Sequence, residues 1–99
     1  MKHSKAILKF TLNIRKAIAA ISDESEILKD INYTVDWSNF PNSLKMQCLI
    51  YQKQPENIEL TEENKAKSIK IIQLSFLKQG IKFRDIRKNI EFDLTTDNP

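Results

Sequence analysis

"VDWSNFPNSLKMQCLIY", Val35 to Tyr51, is the stretch on which the reading of the fold turns. Its second half alternates. Leu44, Met46, Cys48 and Ile50 point one way, and Lys45, Gln47, Leu49 and Tyr51 the other. A period of two belongs to a strand with one face against a core. The residues leading into the stretch repeat the pattern, with Tyr33, Val35 and Trp37 alternating with Asn32, Thr34 and Asp36. "SNFPN" joins the two strands. Pro41 sets its own φ and pushes Phe40 towards extended backbone. Asn39, Asn42 and Ser43 favour turns through local side-chain hydrogen bonds. No glycine is present there, so a loop longer than a two-residue type I′ turn is expected. Trp37 and Phe40 flank this corner. Trp37 continues the inward face, and Phe40 is placed to fold over a helix. The pair reads first as a plug at the end of a sheet, and second as a stacking site for a base or a partner's side chain.

Helices flank the hairpin on both sides. Ile7, Phe10, Ile14, Ala17, Ile18 and Ile21 recur at spacings of three and four, which predicts a helix over 4–21. "ESEILKDI" reads as a short second helical turn. On the other side, Thr61 is a good N-cap, with Glu62 and Glu63 in the first turn. The helix it opens runs to about Gln79, where Gly80, the chain's one glycine, suits the left-handed position after a helix end. Ala66, Ile69, Ile72 and Phe76 form its expected core stripe, widened by Ile71, Leu74 and Leu77. Beyond it, "IKFRDI" and "IEFDL" read as two strands around "RKN", or as one long bent strand. The order α-β-β-α-β-β predicts an α+β domain over 1–94, with two main helices on a small antiparallel sheet of three or four strands and a disordered tail at 95–99.

The totals bound the function. Ninety-nine residues, 40% hydrophobic and 29% charged, make one globular domain of ordinary soluble composition. No apolar run approaches the roughly 20 residues of a membrane span. Lys9, Arg15 and Lys16 interrupt the apolar centre that a signal peptide would need. No membrane partner is expected. A single cysteine, Cys48, cannot form an internal disulfide and fits a reducing cytoplasm. One histidine, His3, read as an exposed terminal residue, and one cysteine cannot make a zinc site. Cys48 lies on the apolar side of its strand with no base in view. A single glycine excludes phosphate-cradling loops. No cofactor, metal or catalytic group is expected, and the chain reads as non-enzymatic.

Charge is what remains. The net charge is +3, and it is segregated. Residues 1–20 carry Lys2, Lys5, Lys9, Arg15 and Lys16 and no acid. Residues 65–88 carry eight Lys or Arg and one acid, Asp85. Lys67, Lys70 and Lys78 on the second helix, Lys82 and Arg84 beyond it, and Arg87 and Lys88 at the turn are the candidate nucleic-acid contacts. A solvated, solubilising face is the plainer explanation of the same residues. The alternative function is a protein-interaction or homodimerisation module, acting through a sheet edge or through Leu49 and Tyr51 on the outer face.

The run Val35-Asp36-x-x-Asn39-Phe40-Pro41-x-Ser43-Leu44, with the leading "NIRKAIAAI" and the later "GIKFRDIRKNIEFD", resembles a family of small uncharacterised proteobacterial proteins. The resemblance covers most of the chain and implies a bacterial cytoplasmic protein. It carries over no catalytic residue and no activity. Members are sometimes labelled Fis-like. That label implies a helical protein ending in a helix-turn-helix, whereas this chain closes on "IEFDL".

Overall fold

The structure, a computed structural model, describes residues 4–51 and 60–95. Lys2, His3, the connector at 52–59 and residues 96–99 of the expected tail lie outside the described residues. The elements are α1 (Ser4–Glu24), β1 (Asp30–Thr34), a 3₁₀ turn at Trp37–Asn39, β2 (Lys45–Tyr51), α2 (Glu62–Lys78), a 3₁₀ turn at Ile86–Asn89, and β3 (Ile90–Thr95).

Helix α1 forms on the predicted stripe, with Ile14, Ala17 and Ile21 fully buried. It ends at Ser25, whose amide still donates to the Ile21 carbonyl at 2.9 Å. The Ser25 hydroxyl then accepts from the amides of Ile27 and Leu28, at 3.2 and 3.1 Å. This side chain satisfies the donors that a further helical turn would have used, so the turn expected in "ESEILKDI" is absent and the chain bends into β1.

The sheet is three-stranded and mixed, in the order β1-β2-β3. β1 and β2 pair antiparallel, with Ile31 opposite Cys48 and Tyr33 opposite Met46. β3 lies on the other edge of β2 and runs parallel to it, with Met46 opposite Ile90 and Cys48 opposite Phe92. The all-antiparallel sheet is therefore corrected. Two parallel neighbours need a long crossover, and α2 is that crossover. The element order fits the expectation except at its close. Residues 81–85 join no ladder, the 86–89 segment is a 3₁₀ turn, and one strand follows. Thr95, assigned above to the tail, pairs with Tyr51.

Asn89 fixes where β3 begins. Its side-chain amide is buried and donates to the carbonyls of Asn42 and Leu44, at 3.0 and 2.7 Å. Those carbonyls lie just before β2, so this one group pins the start of β3 beside the start of β2.

Helix α2 opens as expected, with the Thr61 hydroxyl accepting from the Asn64 amide at 3.0 Å. It closes in a Schellman motif. Gly80 has φ 77°, its amide donates to Leu77, and the Ile81 amide donates to Phe76. Ile81 and Phe76 are both buried, which supplies the apolar contact of that motif. The core stripe differs from expectation. Ser68, Ile72, Ser75 and Phe76 are buried, while Ala66, Leu74 and Leu77 are exposed. α1 and α2 pack side by side. A helix wedged between a sheet and a second helix is covered over a broad arc, and that arc takes in small residues that hydropathy alone leaves outside.

Replacing Asn89 by Ala leaves the Asn42 and Leu44 carbonyls without their donor. It should cost about 1–3 kcal/mol in the urea unfolding free energy, whereas Asn32→Ala on the exposed strand face should stay within about 0.5 kcal/mol. Gly80→Ala should cost about 1–2 kcal/mol by the same measurement. All of that is backbone strain, because a Cβ at Gly80 meets no atom within 4 Å.

Candidate functional site

After Gly80 the chain turns back along α2. Ile81, Phe83 and Ile86 enter the core, with the Phe83 ring set edge-on to Phe76 at 5.4 Å and 72°. Lys82 and Arg84 alternate with them and are exposed. The returning segment and the flank of α2 enclose a groove of about 480 Å³, lined by Ala66, Ile69, Lys70, Gln73 and the residues 83–87. Three cations meet there: Lys70 from the helix, and Arg84 and Arg87 from the segment. Asp85 also lines the groove, but its carboxylate accepts from the Arg87 amide at 3.3 Å and caps the 86–89 turn. Among the described residues, Lys70, Arg84 and Arg87 form no ion pair.

The other four candidate cations lie elsewhere. Lys67 pairs with Glu63 at 3.6 Å, one turn back on the exposed helix surface. Lys78 closes the last turn of α2, and Lys82 is exposed but does not line the groove. Lys88 faces a different recess, of about 500 Å³, with Lys45, Gln47 and Glu91. Gln73 and Ile69 belong to the groove and were not anticipated. Their spacing of three or four from Ala66 and Lys70 was visible in the sequence as a shared helix flank.

The aromatic corner forms a second recess. β1 stops at Thr34, so Trp37 opens the 3₁₀ turn instead of extending the strand. Phe40, extended as Pro41 requires (φ −91°, ψ 137°), lays its ring 4.6 Å from that of Phe10 on α1 and 5.2 Å from Trp37. Ala6, Ile7, Phe10, Trp37, Ser38 and Phe40 line about 470 Å³. The backbone beneath is tightly bonded. Asp36 Oδ1 accepts from the amide and hydroxyl of Ser38, at 3.0 and 2.7 Å. The Ser43 hydroxyl accepts from the Asp36 amide at 2.9 Å and donates to its carbonyl at 2.6 Å. The Ser38 hydrogen bonds hold the Asp36 carboxyl below its ordinary range.

Leu49 and Tyr51 lie on the outer face of the sheet, as their alternation predicted, and both are half-buried. Leu49 sits in register between Asp30 and Asp93. Tyr51 donates to Asp30 at 2.6 Å, and Gln47 donates to Asp93. Carboxylates thus frame Leu49, and this is not an apolar surface. Cys48 is fully buried on the opposite face, and burial pushes its thiol up to about 12. No described helix is long and apolar enough to cross a membrane.

Comparison with known protein families, with curated proteins and with solved structures finds no match to this chain.

The Asp36 carboxyl links the corner to pH. A carboxyl whose folded pKa is depressed adds stability that is fully present above its unfolded value, near 3.9, and is lost as pH falls through the lower folded value. In urea unfolding, the gap between wild type and Asp36→Ala should hold constant from neutral pH down to about pH 4 and close below it.

Proposed function

We propose that the chain is a non-enzymatic binding module that contacts nucleic acid through the groove between α2 and residues 83–87. The observation that carries this reading is the convergence of Lys70, Arg84 and Arg87, drawn from two segments, against the single carboxylate of Asp85, with no ion pair to any of them among the described residues. Cations placed this way meet phosphates, and their release of counterions drives binding irrespective of sequence. Gln73 adds a neutral hydrogen-bonding group on the same wall. A non-enzymatic role is supported by the burial of Cys48, which disfavours its thiolate. The proposal also places the protein in a reducing bacterial cytoplasm, on the strength of its single cysteine and the Val35–Leu44 run. The alternative, association through the outer sheet face, has less support, because carboxylates and their hydrogen bonds surround Leu49.

The test is binding of the chain to labelled DNA and RNA oligomers across a salt series. Affinity should fall log-linearly with salt. In the Lys70→Glu, Arg84→Glu, Arg87→Glu triple variant the slope should shrink by about 0.7 for each single-strand phosphate contact removed. Lys67→Glu, outside the groove, should keep most of the affinity. Absence of binding at low salt by a folded wild-type chain overturns the proposal.

A further inference from the structure

The aromatic corner is more than a plug. A plug buries its rings, yet Trp37 and Phe40 are only half-buried, and their exposed surfaces border the 470 Å³ recess. Among the described residues, no charged side chain lines it. The rings stand on a loop closed by its own hydrogen bonds. Besides those of Asp36, Ser38 and Ser43, the Asn39 amide donates to the Asp36 carbonyl at 2.9 Å, the Ser43 amide to Asn39 at 2.8 Å, and the Leu44 amide to Pro41 at 3.0 Å. A surface held this firmly loses little freedom when something stacks on it.

The surroundings indicate what stacks. Lys5 and Lys9 are exposed on the same two turns of α1 that supply Ala6, Ile7 and Phe10. An apolar aromatic recess with Lys5 and Lys9 on the helix turns of its α1 wall matches the make-up of a nucleotide, a planar base on an anionic linkage. An aromatic side chain from a protein would stack equally well, but it gives Lys5 and Lys9 nothing to contact. We infer that the Phe10–Trp37–Phe40 recess stacks an unpaired nucleobase, so that the nucleic acid taken is single-stranded. A base in a duplex is already stacked and cannot enter. This inference rests on the groove reading above and assigns its substrate class.

Trp37 is the chain's only tryptophan and therefore reports directly on the recess. The experiment titrates the full chain at low salt with a single-stranded DNA oligomer, an abasic oligomer of equal length and charge, and the corresponding duplex. Trp37 emission and affinity are both read. The base-bearing single strand should quench Trp37, shield it from acrylamide, and bind on the order of tenfold more tightly than the abasic strand. Phe40→Leu, which retains the reporter, should bring that ratio close to one. The Lys70, Arg84 and Arg87 reversals should weaken both strands while keeping the ratio. If the base-bearing and abasic strands bind equally and Trp37 emission and acrylamide access are unchanged, the stacking site is overturned and the groove stands. If none of the three binds, both are overturned. The acrylamide measurement uses wild-type protein, so the result does not depend on how Phe40→Leu folds.

Discussion

The amide group of Asn89 holds the architecture in register. Two hydrogen bonds, to carbonyls on the far side of the hairpin corner, set β3 beside β2 at the level of Met46. A buried donor with two partners is costly to remove, because each partner then loses its replacement for water. With that contact made, β3 must run parallel to β2, α2 must cross over the sheet, and the segment from Gly80 to Asn89 must travel back along α2. The groove with its three cations is a by-product of this return path. A hairpin in place of the crossover would have put Arg84 and Arg87 at a strand turn, away from Lys70.

Two kinds of surface result, and they differ in how they are made. The groove is assembled from segments whose placement depends on packing, since Phe83 and Ile86 must be buried for Arg84 and Arg87 to face Lys70. The corner is made locally by residues 36–44, whose side-chain and main-chain hydrogen bonds close the loop, and α1 adds Phe10 to it. Both lie where β2 and β3 begin, and the Asn89 amide joins them. The outer face of the sheet is different again. Its carboxylates are engaged by Tyr51 and Gln47, so its half-buried leucine lies within a polar lattice.

Features governed by periodicity and by local chemistry were legible in the sequence. Both helices, the two faces of β2, the Thr61 cap, the Gly80 terminus and the long hairpin loop follow from the side chains at those positions. Strand direction was not legible, because alternation at Ile90, Phe92 and Leu94 reports a face and is the same whichever way the strand runs. The helix between β2 and β3 did hold the clue, since a parallel pair requires such a crossover. The buried side of α2 departs from its hydropathy at Leu74 and Leu77, which are exposed, and at Ser68 and Ser75, which carry no hydrophobic signal although their size suits a covered position. Of the cations, charge density marked the region correctly, but only the fold separates Lys70, Arg84 and Arg87 from Lys67, Lys78, Lys82 and Lys88. Nothing in the sequence singled out Phe10 as the third ring of the corner, beyond its place on the apolar stripe of α1.

The central position of β2 also bears on how the chain is made. One of its edges pairs with β1, completed at Thr34, before the corner. The other waits for β3, which stands 44 positions further on, from Met46 to Ile90. During synthesis the hairpin is complete while the crossover helix is still emerging from the ribosome. Over that interval the inward residues Met46, Cys48 and Ile50 have α1 but not α2 to complete the core, and an unpaired strand edge beside them is open to another chain. That edge of β2 is closed only when Asn89 reaches its two carbonyls and β3 pairs beside it.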